Sequence, residues 1–124
     1  MSGKILLISV IVFSCFLTAS AMQCYRCWDD CPSADVPDSK HLVDCSKFDP
    51  GNLGVVGCFY MKSYTTDGSK PTKFGRSCAF GGRWQMPMNT CKEVVNGKVG
   101  VQVCLCDGDA CNQDAATAGK SGTK

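Results

Sequence analysis

The chain has 124 residues and a formal net charge of +2, which limits it to one modest domain. That balance excludes a partner held by bulk electrostatics, such as nucleic acid or an anionic membrane surface. Eleven cysteines, in a chain whose large aliphatic residues are concentrated at its start, point to a fold held by cross-links rather than by a thick apolar core.

The first segment reads as a targeting signal. Lys4 supplies a positive start, Ile5 to Thr18 is an apolar run of fourteen residues, and Ala19-Ser20-Ala21 has the small-x-small pattern that signal peptidase accepts. The run is shorter than the roughly 20 residues that a membrane-spanning helix needs. Residues 1–21 are therefore expected to be cleaved, with a mature start near Met22. Cys15 leaves with them, and ten cysteines remain: Cys24, Cys27, Cys31, Cys45, Cys58, Cys78, Cys91, Cys104, Cys106 and Cys111. Lys4 leaves too, so twelve basic residues face eleven acidic ones, a net of +1. An even number of cysteines in a secreted chain implies a disulfide framework. A bridge closing a loop of about 35 residues stabilises by about 3.8 kcal/mol in the loop-entropy model.

In the first mature segment, Cys24 to Cys45, Tyr25 and Trp28 suggest a strand start, while Pro32, Pro37 and the aspartates favour loops. From Cys58 to Cys78, Phe59, Met61 and Ser63 alternate with Tyr60, Lys62 and Tyr64, the two-residue period of a half-exposed strand. Asp67-Gly68 predicts a turn, and Pro71 places the returning stretch at an edge or in irregular structure. From Cys91 to Cys104, Val94-Val95, Asn96-Gly97 and then Val99, Val101 and Val103 predict a hairpin with a type I′ turn. The connectors carry Pro50-Gly51, Gly54, Gly81-Gly82 and Pro87. No helical period follows the leader and no repeat occurs, so one domain is expected from Met22 to Asn112. The small, polar tail over residues 113–124 is expected to be disordered. It contains no hydrophobic stretch of the roughly 10–20 residues that a lipid-anchor signal requires. A released, extracellular protein is expected, and a longer form carrying such a stretch would be GPI-anchored at the cell surface.

The order C-x2-C-x3-C-x13-C-x12-C-x19-C-x12-C-x12-C-x-C-x4-C-N resembles the three-finger superfamily, in its urokinase-receptor and lymphocyte-antigen-six form. The opening Met22-Gln23-Cys24-Tyr25-Arg26-Cys27 and the closing Cys104-Leu105-Cys106-Asp107-Gly108-Asp109-Ala110-Cys111-Asn112 carry the likeness, which spans Met22 to Asn112. Vertebrate members usually have adjacent cysteines where this chain has Cys104-Leu105-Cys106. The inserted residue is similar to the arthropod Sleepless/Quiver-like proteins. The resemblance implies a small, disulfide-rich all-β fold, three hairpin loops leaving one cysteine hub. It also implies the pairs Cys24–Cys58, Cys27–Cys31, Cys45–Cys78, Cys91–Cys104 and Cys106–Cys111. For Asn112 it implies a structural role, its amide bonded to backbone across the hub.

Zinc is the rival reading of Cys24-x2-Cys27 and Cys104-x-Cys106, but an oxidising compartment pairs thiolates with each other. No metal or cofactor is expected. His41, with Asp38 and Asp44 nearby, lacks a cysteine-flanked helix like that of a secreted phospholipase and reads as a solvated finger residue. No G-x-S-x-G occurs, and Asp29-Asp30 and Asp107-x-Asp109 read as turn residues. The sequence offers no active site, so binding is the expected activity. The first finger, Tyr25 to Asp44, is net −3, and the second, Phe59 to Ser77, is net +3 with aromatics among its cations. Tyr60, Lys62, Tyr64, Lys70, Lys73, Phe74 and Arg76 are accordingly expected to meet a partner. A solvated hairpin whose charges keep the chain soluble is the plainer alternative. Trp84, with Arg83, Met86 and Met88, forms either a second patch or a lid over the hub. The resemblance implies a modulator that acts through its hairpin tips on the extracellular part of a membrane receptor or ion channel, of nicotinic-receptor or potassium-channel type; a monomer without membrane insertion is expected. A structural factor in junctions or cuticle, or a toxin, is the alternative.

Overall fold

The computed structural model describes residues 22–32, 35–82, 84 and 86–120; the leader expected over residues 1–21 lies outside them. Six strands follow in chain order: β1 (Gln23–Tyr25), β2 (Leu42–Asp44), β3 (Val55–Thr65), β4 (Lys73–Phe80), β5 (Thr90–Asn96) and β6 (Val99–Cys106). β1 and β2 form a two-stranded antiparallel sheet at the base of finger one. The other four form a second antiparallel sheet in the order β4-β3-β6-β5. The expected all-β, disulfide-rich architecture is therefore present.

Local chemistry explains the hairpins. In finger two, β3 runs against β4 with Cys58 opposite Cys78 and Ser63 opposite Lys73. In the loop between them Gly68 takes φ +70°, and the Asp67 carboxylate accepts the Ser69 N–H at 2.9 Å. Pro71, which has no N–H to give a ladder, sits in that loop before β4 begins. In finger three the expected hairpin forms, but its turn is shifted by one residue. Asn96 closes the ladder opposite Val99, and the two-residue loop is Gly97-Lys98. Gly97 alone of that pair has positive φ, +62°, which matches a type II′ turn with glycine first rather than Asn-Gly in type I′. The two fingers are tied together near their tips: Thr66 N–H donates to the Lys98 carbonyl at 2.9 Å, and the Tyr64 hydroxyl donates to the Glu93 carboxylate.

Side chains along a strand alternate between faces, and here the alternation sorts the cysteines. Cys58 and Tyr60 of β3, Arg76 and Cys78 of β4, and Cys104 and Cys106 of β6 occupy matched register positions on one face. Cys24–Cys58 and Cys45–Cys78 bind finger one to that face. Cys91–Cys104 bridges β5 and β6, Cys106–Cys111 closes the C-terminal loop, and Cys27–Cys31 closes a small loop in finger one. These are the pairs the resemblance implied. Tyr60, Ala118 and seven of the cysteines form the buried core, with Met22, Val43, Val55, Phe74, Phe80 and Ala115 packed against it.

Two polar side chains complete the hub. The Asn112 amide donates to the Tyr25 and Phe59 carbonyls at 2.9 Å and to Ser77 at 3.3 Å, and its oxygen accepts the Tyr25 N–H at 3.0 Å. One side chain thus joins β1, β3 and β4. Arg76 is fully buried, and its guanidinium donates to the carbonyls of Pro32 (2.7 Å), Asn112 (3.1 Å) and Gln113 (2.8 Å) and lies 5.1 Å from the Tyr60 ring centre. Burial holds its pKa below the ordinary value, opposed by the nearby Tyr60 and Asp114.

Two expectations are corrected here. Residues 113–120 are structured: Cys111–Gln113 forms a 3-10 turn, and α1 (Ala115–Lys120) follows. The Asp114 carboxylate caps it by accepting the Thr117 N–H at 2.7 Å. Ala118 is fully buried in the core, so the small residues that suggested disorder instead permit close approach. Residues 121–124 lie outside the described ones. His41 is not solvated; its side chain is 12% exposed, with Nε2 3.7 Å from Asp30.

Replacing Asn112 by alanine removes four hydrogen bonds to backbone, two of them buried and two part-buried. It is expected to lower stability by about 3 kcal/mol or more, measured by urea unfolding with the disulfides intact. Tyr64 titrates above the ordinary tyrosine value because the Glu93 carboxylate accepts its proton's hydrogen bond. With the folded pKa raised, this tie is complete below about pH 10 and is lost as pH rises through the folded value. NMR titration of the Tyr64 ring is expected to show that shift, and Glu93→Ala to bring it back toward the ordinary range.

Candidate functional site

Among the described residues no strand or helix packs over the finger-three part of the sheet face opposite the cysteines, although Leu105 at its base is fully buried. The positions on this face are Phe59, Met61, Ser63 and Thr65 of β3, Val99, Val101 and Val103 of β6, and Lys92, Val94 and Asn96 of β5, which the register sets side by side. Val103 opposes both Met61 and Lys92, and Val101 opposes both Ser63 and Val94. The valine alternation that forms the hairpin therefore also makes a row of branched apolar side chains on one surface.

Two tryptophans extend this row from outside the sheet. Cys27 makes an isolated antiparallel bridge with Arg76 at the edge of β4, which brings the next residue, Trp28, over that face. The Trp28 and Phe59 ring centres are 5.8 Å apart, and Phe59 and Trp84 follow at 5.9 Å. Gly75 is the condition for this seat, since a Cβ there would stand 2.5 Å from the Trp28 ring. Trp84 is fixed by its indole N–H, which donates to the Phe80 carbonyl at 2.7 Å. Trp84 and Met86 then line, with Lys92, Val94, Asn96, Val99, Val101 and Val103, an open concavity of about 610 Å³. Trp28 is 47% exposed, Trp84 40%, Val94 56% and Val99 49%. Exposed aromatic and aliphatic side chains are thus gathered on one surface, the kind of grouping from which protein contacts are built.

The second-finger residues expected to meet a partner divide into two groups. Tyr60 is 2% exposed and Arg76 fully buried; both serve the hub, so they leave the binding surface. Phe74 is half-buried against the core, its ring centre 6.3 Å from that of Tyr60. Tyr60, Lys62 and Phe74 do come together, with Gln102 and Asp114, around a smaller hollow of about 350 Å³ beside the start of α1. Lys62 lies 5.5 Å from the Tyr64 ring centre. Of these residues only Lys70 and Lys73, at the end of the finger, are exposed. Tyr60 and Arg76 each stand two residues from a hub cysteine, and strand alternation from Cys58 and Cys78 was the signal for their burial.

Trp84 and Met86 form a patch rather than a lid, since they lie on the face away from the disulfides. Met88 is half-buried in the turn before β5; Arg83 is outside the described residues. The grouping of three potential metal ligands among the described residues, Cys24, Cys45 and Cys78 with sulfurs within 4.8 Å, consists of atoms already joined in two disulfides. Disulfide sulfurs carry no thiolate to donate.

Among the described residues no helix is long and apolar enough to cross a membrane. No curated protein and no solved structure matches the chain. The family model described as the Quiver family u-PAR/Ly-6-like domain matches residues 22–112, well over half of the chain. Domains of this class lie outside the cell, secreted or GPI-anchored, and are generally binding proteins without catalytic activity. The six strands, the five bridges and that match together place the chain in the Quiver family of u-PAR/Ly-6-like domains.

Proposed function

We propose that the chain is a secreted, non-catalytic binding protein that docks on the extracellular part of a membrane receptor or ion channel. The observation that carries this reading is the pair of exposed indoles, Trp28 and Trp84, seated on the half-buried Phe59 and continuous with the valine concavity, on the side of the cross-linked sheet away from the disulfides. Tryptophan in a rigid, partly desolvated setting is the usual anchor of a protein interface. The rigidity matters energetically. A scaffold tied by five bridges loses little conformational entropy on binding, so a small contact area suffices for specificity.

Charge supports orientation rather than affinity. Lys70 and Lys73 stand at the distal end of finger two, where rim cations raise the association rate of an acidic partner surface. A structural role in junctions or cuticle uses the same face and differs only in the partner.

The test is saturable binding of the labelled, folded chain to intact cells, followed by current recording from those that bind. Trp28→Ala and Trp84→Ala are each expected to weaken binding about 30-fold, the loss of a 2 kcal/mol anchor. Lys70→Ala and Lys73→Ala are expected to slow association a few-fold, with an effect that salt removes. Unchanged affinity in the double tryptophan variant would take the apolar face out of the account. Binding that survives proteolytic removal of surface proteins would rule out a protein partner.

A further inference from the structure

The four-stranded sheet has two edges, β4 and β5, and they are finished differently. The β4 edge is closed by finger one: Cys27 and Arg76 exchange two backbone hydrogen bonds, each 2.9 Å. Among the described residues β5 pairs with β6 alone. Six of its seven residues are exposed, its register is unbroken, and it contains no proline. Val94 and Val95, on opposite faces, are 56% and 55% exposed.

The two-residue turn determines which backbone groups remain free. It makes Asn96 and Val99 a hydrogen-bonded pair, so Asn96, Val94 and Lys92 direct their amides and carbonyls toward β6. Val95, Glu93 and Cys91 direct theirs to the open edge. An exposed edge with an unpaired row of this kind is a template for another strand.

The residues of β5 indicate which strand. A two-fold axis normal to the sheet pairs β5 with its own copy antiparallel and keeps each face on the same side. Such a pairing centres on a residue. Centred on Glu93, it sets two carboxylates opposite each other, which is unfavourable. Centred on Val94, it sets Val94 against Val94, Glu93 against Val95 and Lys92 against Asn96, with no like charges opposed. In that register the free groups of Glu93 and Val95 bond each other, and the two valine concavities lie side by side. We propose that β5 pairs antiparallel with β5 of a second copy of this chain, centred on Val94, to form a continuous eight-stranded sheet. The assembly presents two apolar faces on one side, where the sequence led to a monomer.

Sedimentation equilibrium of the full chain, expressed in a secreting host, tests this. The wild type is expected to show a reversible species of twice the single-chain mass. Val95→Pro removes an edge-facing N–H without touching the β6 ladder and is expected to abolish that species while circular dichroism stays unchanged. Val94→Lys, which opposes two cations, is expected to weaken it about tenfold or more. A wild type that remains a single chain at every concentration would overturn the proposal, as would Val95→Pro dimerising like wild type. A chain that stays single, yet has its Glu93 and Val95 amides protected from exchange when a different protein is added, would assign the edge to a foreign strand and equally overturn it.

Discussion

The disulfides Cys24–Cys58 and Cys45–Cys78 determine what the rest of the molecule can do. Both join finger one to the same face of the main sheet. Strand alternation then commits every second residue of β3, β4 and β6 to the hub, and their neighbours to the opposite side. The apolar character of that opposite side follows from a sheet whose stability comes from one face. Cross-links replace the second packing layer that a domain of this size would otherwise use to bury Trp28, Trp84 and the valines.

The hub gains its precision from polar groups rather than bulk. Asn112 reaches three strands with one amide, and Arg76 places a buried cation among backbone carbonyls of finger one and the C-terminal segment. A buried charge without such partners would cost several kcal/mol (order of magnitude), so these contacts specify a single arrangement of the fingers. Burial raises the Tyr60 pKa, with the Arg76 cation opposing the shift, and the phenol stays neutral beneath the guanidinium at physiological pH. The binding face thereby rests on a base that does not rearrange, and α1 adds Ala118 to the same core.

Much of this was legible in the residues because it depends on local signals. Cysteine spacing, the Val99-Val101-Val103 alternation and the turn glycines each act within a few positions. Residue type alone does not tell which face of a strand a side chain occupies. Arg76 and Tyr60 looked like interface residues because arginine and tyrosine often are, although Cys78 and Cys58 two positions away marked them as inward. The Ala-rich tail looked featureless because its helix depends on the Asp114 cap and on tertiary contact through Ala118, neither of which creates a periodic pattern in six residues. The aromatic row could not be read at all from spacing. The Cys27–Arg76 bridge and the room left by Gly75 bring Trp28 to Phe59, and the hydrogen bond to the Phe80 carbonyl brings Trp84.

All of this depends on the order in which the ten thiols are joined, since a different order would turn different residues toward solvent. Proteolysis of the oxidised chain under non-exchanging conditions, followed by mass spectrometry of the linked peptides, measures it directly. The account predicts Cys24 with Cys58, Cys27 with Cys31, Cys45 with Cys78, Cys91 with Cys104 and Cys106 with Cys111. Cys24 joined to any residue other than Cys58, or free thiols among the ten, would contradict it.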